Sequence, residues 1–132
     1  MSKKTYIKLK TEISNLKWKA LEKRIKSYLS KNQKIICKWI NRRPVFFDEY
    51  LSSTLSRNDW HNRMKSFFSS IELIKKSKDI SDSQDLGNNL LSYEFKWKTP
   101  KWYLVWVHIK EKNKWKNKIL KLISNFWDNK KI

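Results

Sequence analysis

The stretch Tyr93–Lys110, YEFKWKTPKWYLVWVHIK, constrains the fold more than any other, because bulky aromatics alternate with lysines on either side of one proline. A period of two belongs to a strand with unlike faces, and Thr99-Pro100 supplies a turn, so the stretch predicts a β-hairpin. Tyr93, Phe95 and Trp97 share one side of the first strand, with Glu94, Lys96 and Lys98 on the other. A two-residue turn pairs odd positions of the first strand with even positions of the second. That register puts Trp102, Leu104, Trp106 and His108 on the aromatic side, and Tyr103, Val105, Val107 and Ile109 with the lysines. Tyr93, Phe95, Leu104 and Trp106 are then core, while Trp97 and Trp102, beside Lys98 and Lys101 at the turn, are the rings expected to stay partly open. Two strands alone are marginal, so helices or a third strand from Thr5 to Leu9 must support them.

Most of the remaining chain reads as helix. Ile13, Leu16, Ala20, Leu21, Ile25, Tyr28 and Leu29 form an apolar stripe over Thr11–Leu29, with Lys17, Lys19, Lys23, Arg24 and Lys26 around it. A short helix is expected over Lys34–Ile40, ended by Asn41-Arg42-Arg43-Pro44, and a further one from Pro44 to about Leu55. Trp60, Met64, Phe67, Phe68, Ile71 and Ile74 give the cleanest 3.6-residue period, with Asn58 or Asp59 as its cap. Trp115, Ile119, Leu122, Ile123 and Phe126 mark a final amphipathic helix over Lys112–Trp127. The expectation is one α+β domain over residues 1–132, mainly helical: four to five helices, one hairpin in the C-terminal half, and a last helix after it. Residues 1–10 read as a basic arm or edge strand, and residues 78–89 as an acidic loop holding the only glycine.

Charge narrows the function. The formal net charge is +19, and it is uneven: residues 1–43 carry +12, residues 44–95 carry −2, and residues 96–132 carry +9. Compositional drift towards Lys, Asn and Ile explains why 26 of the 31 basic residues are Lys. It does not explain only 12 acids. Self-repulsion at this density favours a polyanionic partner, and two basic ends packed together would make one positive platform. Lys110, Lys112, Lys114, Lys116, Lys118 and Lys121 oppose the dipole at the start of the last helix, which points to phosphate binding, or else to an anionic membrane surface.

Other classes are thinly supported. The one cysteine, Cys37, permits no internal disulfide or cysteine-cluster metal site, and Gly87 alone makes no glycine-rich phosphate cradle. No cofactor or metal is expected. The start MSKKTYIKLKTE lacks an apolar core for a signal peptide, and the apolar run Trp102–Ile109 is too short for a transmembrane helix, so a soluble cytoplasmic protein is expected.

The function expected is a non-enzymatic, sequence-tolerant nucleic-acid-binding protein that prefers RNA or single-stranded DNA, such as a ribonucleoprotein subunit. Lys96, Lys98, Lys101, Lys112, Lys114, Lys116 and Lys118 would hold phosphates, with Arg42 and Arg43 as a second contact point. Trp97 and Trp102 would stack bases, joined by Trp115. The alternatives are a small basic, toxin-like ribonuclease using His108, Tyr103, Glu111 and Arg63, an anionic-membrane-surface module, and a module for an acidic protein partner.

Overall fold

The computed structural model describes residues 9–37, 40–76, 82–87, 90–114 and 117–128. Its elements in chain order are α1 (Trp18–Lys31), β1 (Lys34–Cys37), β2 (Arg43–Phe46), α2 (Tyr50–Leu55), α3 (Trp60–Met64), α4 (Phe67–Lys76), β3 (Asp82–Gly87), β4 (Leu90–Lys98), β5 (Leu104–Lys114) and β6 (Asn117–Asp128). The strands form one six-stranded sheet in the order β1-β2-β6-β5-β4-β3. Only β2 and β6 run parallel; the other neighbours are antiparallel. A mixed sheet therefore dominates, with short helices against it, and the mainly helical expectation is corrected.

Three segments read as helix are strands. Lys34–Cys37 and Arg43–Phe46 pair across a turn in which Asn41 and Arg42 take φ values of 52° and 56°. The residues β-branched at Cβ in these runs, Ile35, Ile36 and Val45, suit a pleated surface better than a short helix. Lys112–Trp127 is the third, its described residues forming the end of β5 and most of β6. Its apolar residues mimic a helix because a bulge opposite His108 and Ile109 switches the alternation of β6 at Ile123. Leu120 and Leu122 face the core before the switch and Asn125 after it, so the apolar spacing along the chain comes out as three and four. With no helix there, the lysines oppose no dipole, and that reason for assigning them to phosphates falls away.

The acidic segment is also a strand in part: Asp82–Gly87 makes the sheet edge, with a bulge between Asp85 and Gly87. Gly87 takes φ +83°, and its N–H donates to Asp85 Oδ1 (2.8 Å). The cleanest helical period is split into α3 and α4, because Ser66 lies between them with its N–H and Oγ turned back to the Arg63 carbonyl. The N-terminal amphipathic helix begins later than its stripe, at Trp18. Residues 9–17 run outside any helix, tied down where Leu9 N–H meets the Lys98 carbonyl (2.6 Å) and where Glu72 accepts from Lys10 and Thr11 N–H (2.9 and 2.7 Å). Burial works against the Glu72 charge, but those N–H donors and Lys76 outweigh it and hold the carboxyl below its ordinary range. Of the proposed third strand from Thr5 to Leu9, all but Leu9 lies outside the described residues.

All helices lie against one sheet face. Tyr93, Phe95 and Trp97 of β4, Val105, Val107 and Ile109 of β5, and Leu120 and Leu122 of β6 are buried there with Phe67, Leu73 and Ile74 of α4. Asn125 of β6 locks the layers: its amide donates to the Arg63 carbonyl, Ser66 Oγ and Ser70 Oγ, and its Oδ1 accepts from the Tyr50 hydroxyl (2.8 Å). Among the described residues no helix packs on the opposite sheet face.

Candidate nucleic-acid interface

The hairpin between β4 and β5 sets what the open face presents. Thr99 N–H donates to the Tyr103 carbonyl and Trp102 N–H to the Thr99 carbonyl (both 2.9 Å), leaving a three-residue loop, Pro100–Trp102. An odd loop reverses the parity expected from a two-residue turn. Tyr93, Phe95 and Trp97 pair with Ile109, Val107 and Val105, while Lys96 faces Trp106 and Lys98 faces Leu104. Trp97 is thus sealed in the core at 5% exposure, and Trp106 moves from the expected core to the open face, half-buried. Of the two rings expected at the tip, only Trp102 stays open, at 54% exposure.

Such loops end in a left-handed residue, normally glycine, and here Trp102 fills that position at φ 70°. A bulky side chain in this conformation is strained by about 1–2 kcal/mol. Trp102→Gly is expected to leave thermal stability unchanged or raised, because it relieves that strain. A large drop in Tm would show that the indole is there for packing.

Across the open face runs a ladder of cations and rings. The Lys96 ammonium sits over the Trp106 ring (5.6 Å), Trp106 meets Phe126 edge-on (6.3 Å), and the Arg63 guanidinium lies over Phe126 (5.6 Å). Arg63 is fixed by Asp59 (2.9 Å) and by donating to the Asn125 carbonyl. Asp59 thus spends its carboxylate on Arg63, with no side-chain cap bond to α3. Trp106 Nε1 is buried without a hydrogen-bond partner among the described residues. At the hairpin tip the Lys98 ammonium lies 4.6 Å from the Trp102 ring centre. On β1 and β2, Lys34 covers Phe46 in the same manner (5.7 Å).

Two other lysines of this face are clasped. Lys112 reaches Glu49 (2.6 Å), and Lys121 reaches Asp48 and Glu49 (2.8 and 3.4 Å). The hydrogen bond from Lys112, against some burial, holds the Glu49 carboxyl low, and the Asp48 hydrogen bond holds Lys121 high. The clasp cancels charge beside β2; towards the hairpin tip Lys96 and Lys98 share the open face with Glu94 and Asp128, whose partners across the sheet are His108 and Leu104. His108 adds no charge there at neutral pH, since burial first, then Lys110 and Arg57, push its pKa below the usual 6.5 against the pull of Glu94.

The expected contact residues part company. Lys96 joins the ladder, Lys101 is exposed at the tip, and Arg42 is exposed in the β1–β2 turn. Lys98 is buried beneath Trp102 at 8% exposure. Arg43 is structural: it pairs with buried Glu111 (2.7 Å) and donates to the Lys118 carbonyl (3.0 Å). Lys118 pairs with Asn113, which places it away from the ladder's face. Lys114 ends β5, and Trp115 and Lys116 lie outside the described residues. Sequence reasoning missed Trp106, Phe126 and Arg63 as interface members. Only the parity of the loop could have revealed Trp106.

The ribonuclease residues do not assemble. His108 and Glu111 project from opposite faces of β5, and Tyr103 packs edge-on against Trp127 (5.3 Å) beside α3, whose Asn62 carbonyl accepts from the Trp127 indole. Among the described residues no group of three or more His, Cys, Asp or Glu is placed to hold a metal ion, and no helix is long and apolar enough to cross a membrane. No protein-family model matches the chain, and comparison with curated proteins and with solved structures finds no match.

Proposed function

We propose that this chain is a sequence-tolerant, non-enzymatic nucleic-acid-binding protein of the cytoplasm that lays a single strand, RNA or DNA, across the open face of its sheet. The Lys96–Trp106–Phe126–Arg63 ladder carries this reading. A sheet face with solvent-accessible rings flanked by cations is the arrangement by which single strands are held: rings stack bases of any identity while ammonium groups hold phosphates. Magnitudes favour exchange of partners. A lysine over an indole is worth about 0.5–1 kcal/mol at an exposed site, whereas a stacked base is worth roughly 1–3 kcal/mol. A base can therefore displace Lys96 from the face of Trp106.

Trp106→Ala is expected to weaken a single-stranded 20-mer by about tenfold, within the range for one stacked base, and a duplex of equal length by much less. Fluorescence anisotropy on both ligands measures this, with circular dichroism to check folding. Lys96→Gln, which leaves the core untouched, should weaken both ligands alike. Equal single-strand affinity for the wild type and both variants would refute the assignment.

A further inference from the structure

The N-terminal segment reaches the β4–β5 hairpin, where Leu9 N–H meets the Lys98 carbonyl and Glu12 accepts from Lys101 N–H (2.7 Å), but α1 itself lies elsewhere. The ladder of rings and cations on the open sheet face draws on β4, β5, β6 and Arg63 of α3, while basic α1 lies on the helical side. There α1 rests on α3 and α4 through Trp18 against Trp60 (6.0 Å), Tyr28 against Phe67 and Phe68 (5.7 and 5.8 Å), and Arg24 over Phe68 (5.6 Å). Leu21 and Ile25 are fully buried under it, so its polar side turns away from the sheet. That side repeats the chemistry of the ladder. Trp18 is 45% exposed with the Lys19 ammonium 5.3 Å from its ring, and a shallow depression of about 310 Å³ is lined by Trp18, Lys19, Glu22, Lys23 and Lys26. Glu22 neutralises Lys26 alone (3.0 Å).

We infer that the outer side of α1 is a second nucleic-acid surface, and that one molecule bridges two strands, one on the sheet and one on α1. The inference rests on the reading of the sheet face above. Charge complementarity selects a polyanion for α1, and the geometry selects a nucleic acid over a lipid surface. A helix lying in a membrane buries an apolar side in the acyl region, but the apolar side of α1 is already committed to the protein core, leaving one ring to insert. Two opposed sites on one chain join two strands without self-association.

The test is a sandwich assay with an immobilised single strand of 20 nucleotides, the full chain, and a second fluorescent strand. The wild type is expected to capture the second strand, and Lys19→Gln with Lys23→Gln to lose that capture at least tenfold. Affinity of the variant for the first strand should stay within threefold. A variant losing the same charge at Lys10 and Lys75, which line neither surface, should keep capturing.

If the wild type holds the first strand but captures no second, bridging is wrong and the sheet reading stands. If it holds no first strand, both fall. Capture that survives in the α1 variant would mean bridging by self-association and would overturn the inference. Binding to vesicles of phosphatidylcholine with anionic phosphatidylglycerol that is lost in the α1 variant, with strand capture unchanged, would overturn it in favour of a lipid surface.

Discussion

Raising the salt from 50 to 200 mM is expected to weaken binding of a single-stranded 20-mer by about 50-fold. The size follows from which cations the open face leaves to phosphates. Lys112 and Lys121 are held by Asp48 and Glu49, and Lys98 is buried beneath Trp102, so these count little. Arg63 is held by Asp59 and counts little too, so Lys34, Lys101 and Lys110 remain, with Lys96 joining them where a base takes its place over Trp106. About four phosphate contacts on a single strand give a slope near −2.8 in log K against log salt, since each releases about 0.7 of a counterion. The whole formal charge of +19 acting indiscriminately would give a far steeper line. A membrane or protein-docking function would give no such response to oligonucleotides. Anisotropy titrations at four salt concentrations measure the slope. A value shallower than about −1.5 would remove the electrostatic half of the account.

Arg43→Ala destabilises the fold by about 2–3 kcal/mol and leaves nucleic-acid affinity nearly unchanged. Glu111 is 5% exposed, receives the Arg43 guanidinium at 2.7 Å, and accepts from Leu91 N–H at 2.8 Å. Removing the arginine strands a carboxylate between β2 and β5 and frees the Lys118 carbonyl. The cost sits below that of a wholly buried pair because Arg43 keeps 27% of its side chain in contact with solvent, which screens part of the loss. Thermal unfolding should shift down by roughly 8–12 °C for a chain of this size. Replacing both partners, Arg43→Met with Glu111→Leu, should recover most of it, since a buried pair exchanged for apolar packing is often neutral. Lost affinity at unchanged Tm would return Arg43 to the phosphate-binding set.

Parts of this architecture are readable from the residues alone, and the failures have physical causes. The hairpin is legible because Tyr93-Glu94-Phe95-Lys96-Trp97 alternates cleanly and Pro100 marks the turn. Its face assignment is not, because loop length by one residue decides parity, and a left-handed Trp102 is not a residue one expects to close a three-residue loop. Strand β6 is hidden by its own bulge, which converts a two-residue period into helical spacing. Arg43 reads as a surface cation because its partner Glu111 lies 68 residues away. The exposure of Trp102 and the place of Lys96 opposite the core side of β4 were legible from the turn and from the alternation. Trp106, Phe126 and Arg63 meet only through tertiary structure, on β5, β6 and α3.

Photocrosslinking of a 4-thiouridine-containing single strand, with the attachment sites mapped by mass spectrometry, tests most directly whether the sheet face holds the strand. The account predicts attachment at Trp106, Phe126 and Trp102, abolished at the first of these by Lys96→Gln or by 200 mM salt. Attachment that avoids β4, β5 and β6 altogether would contradict it.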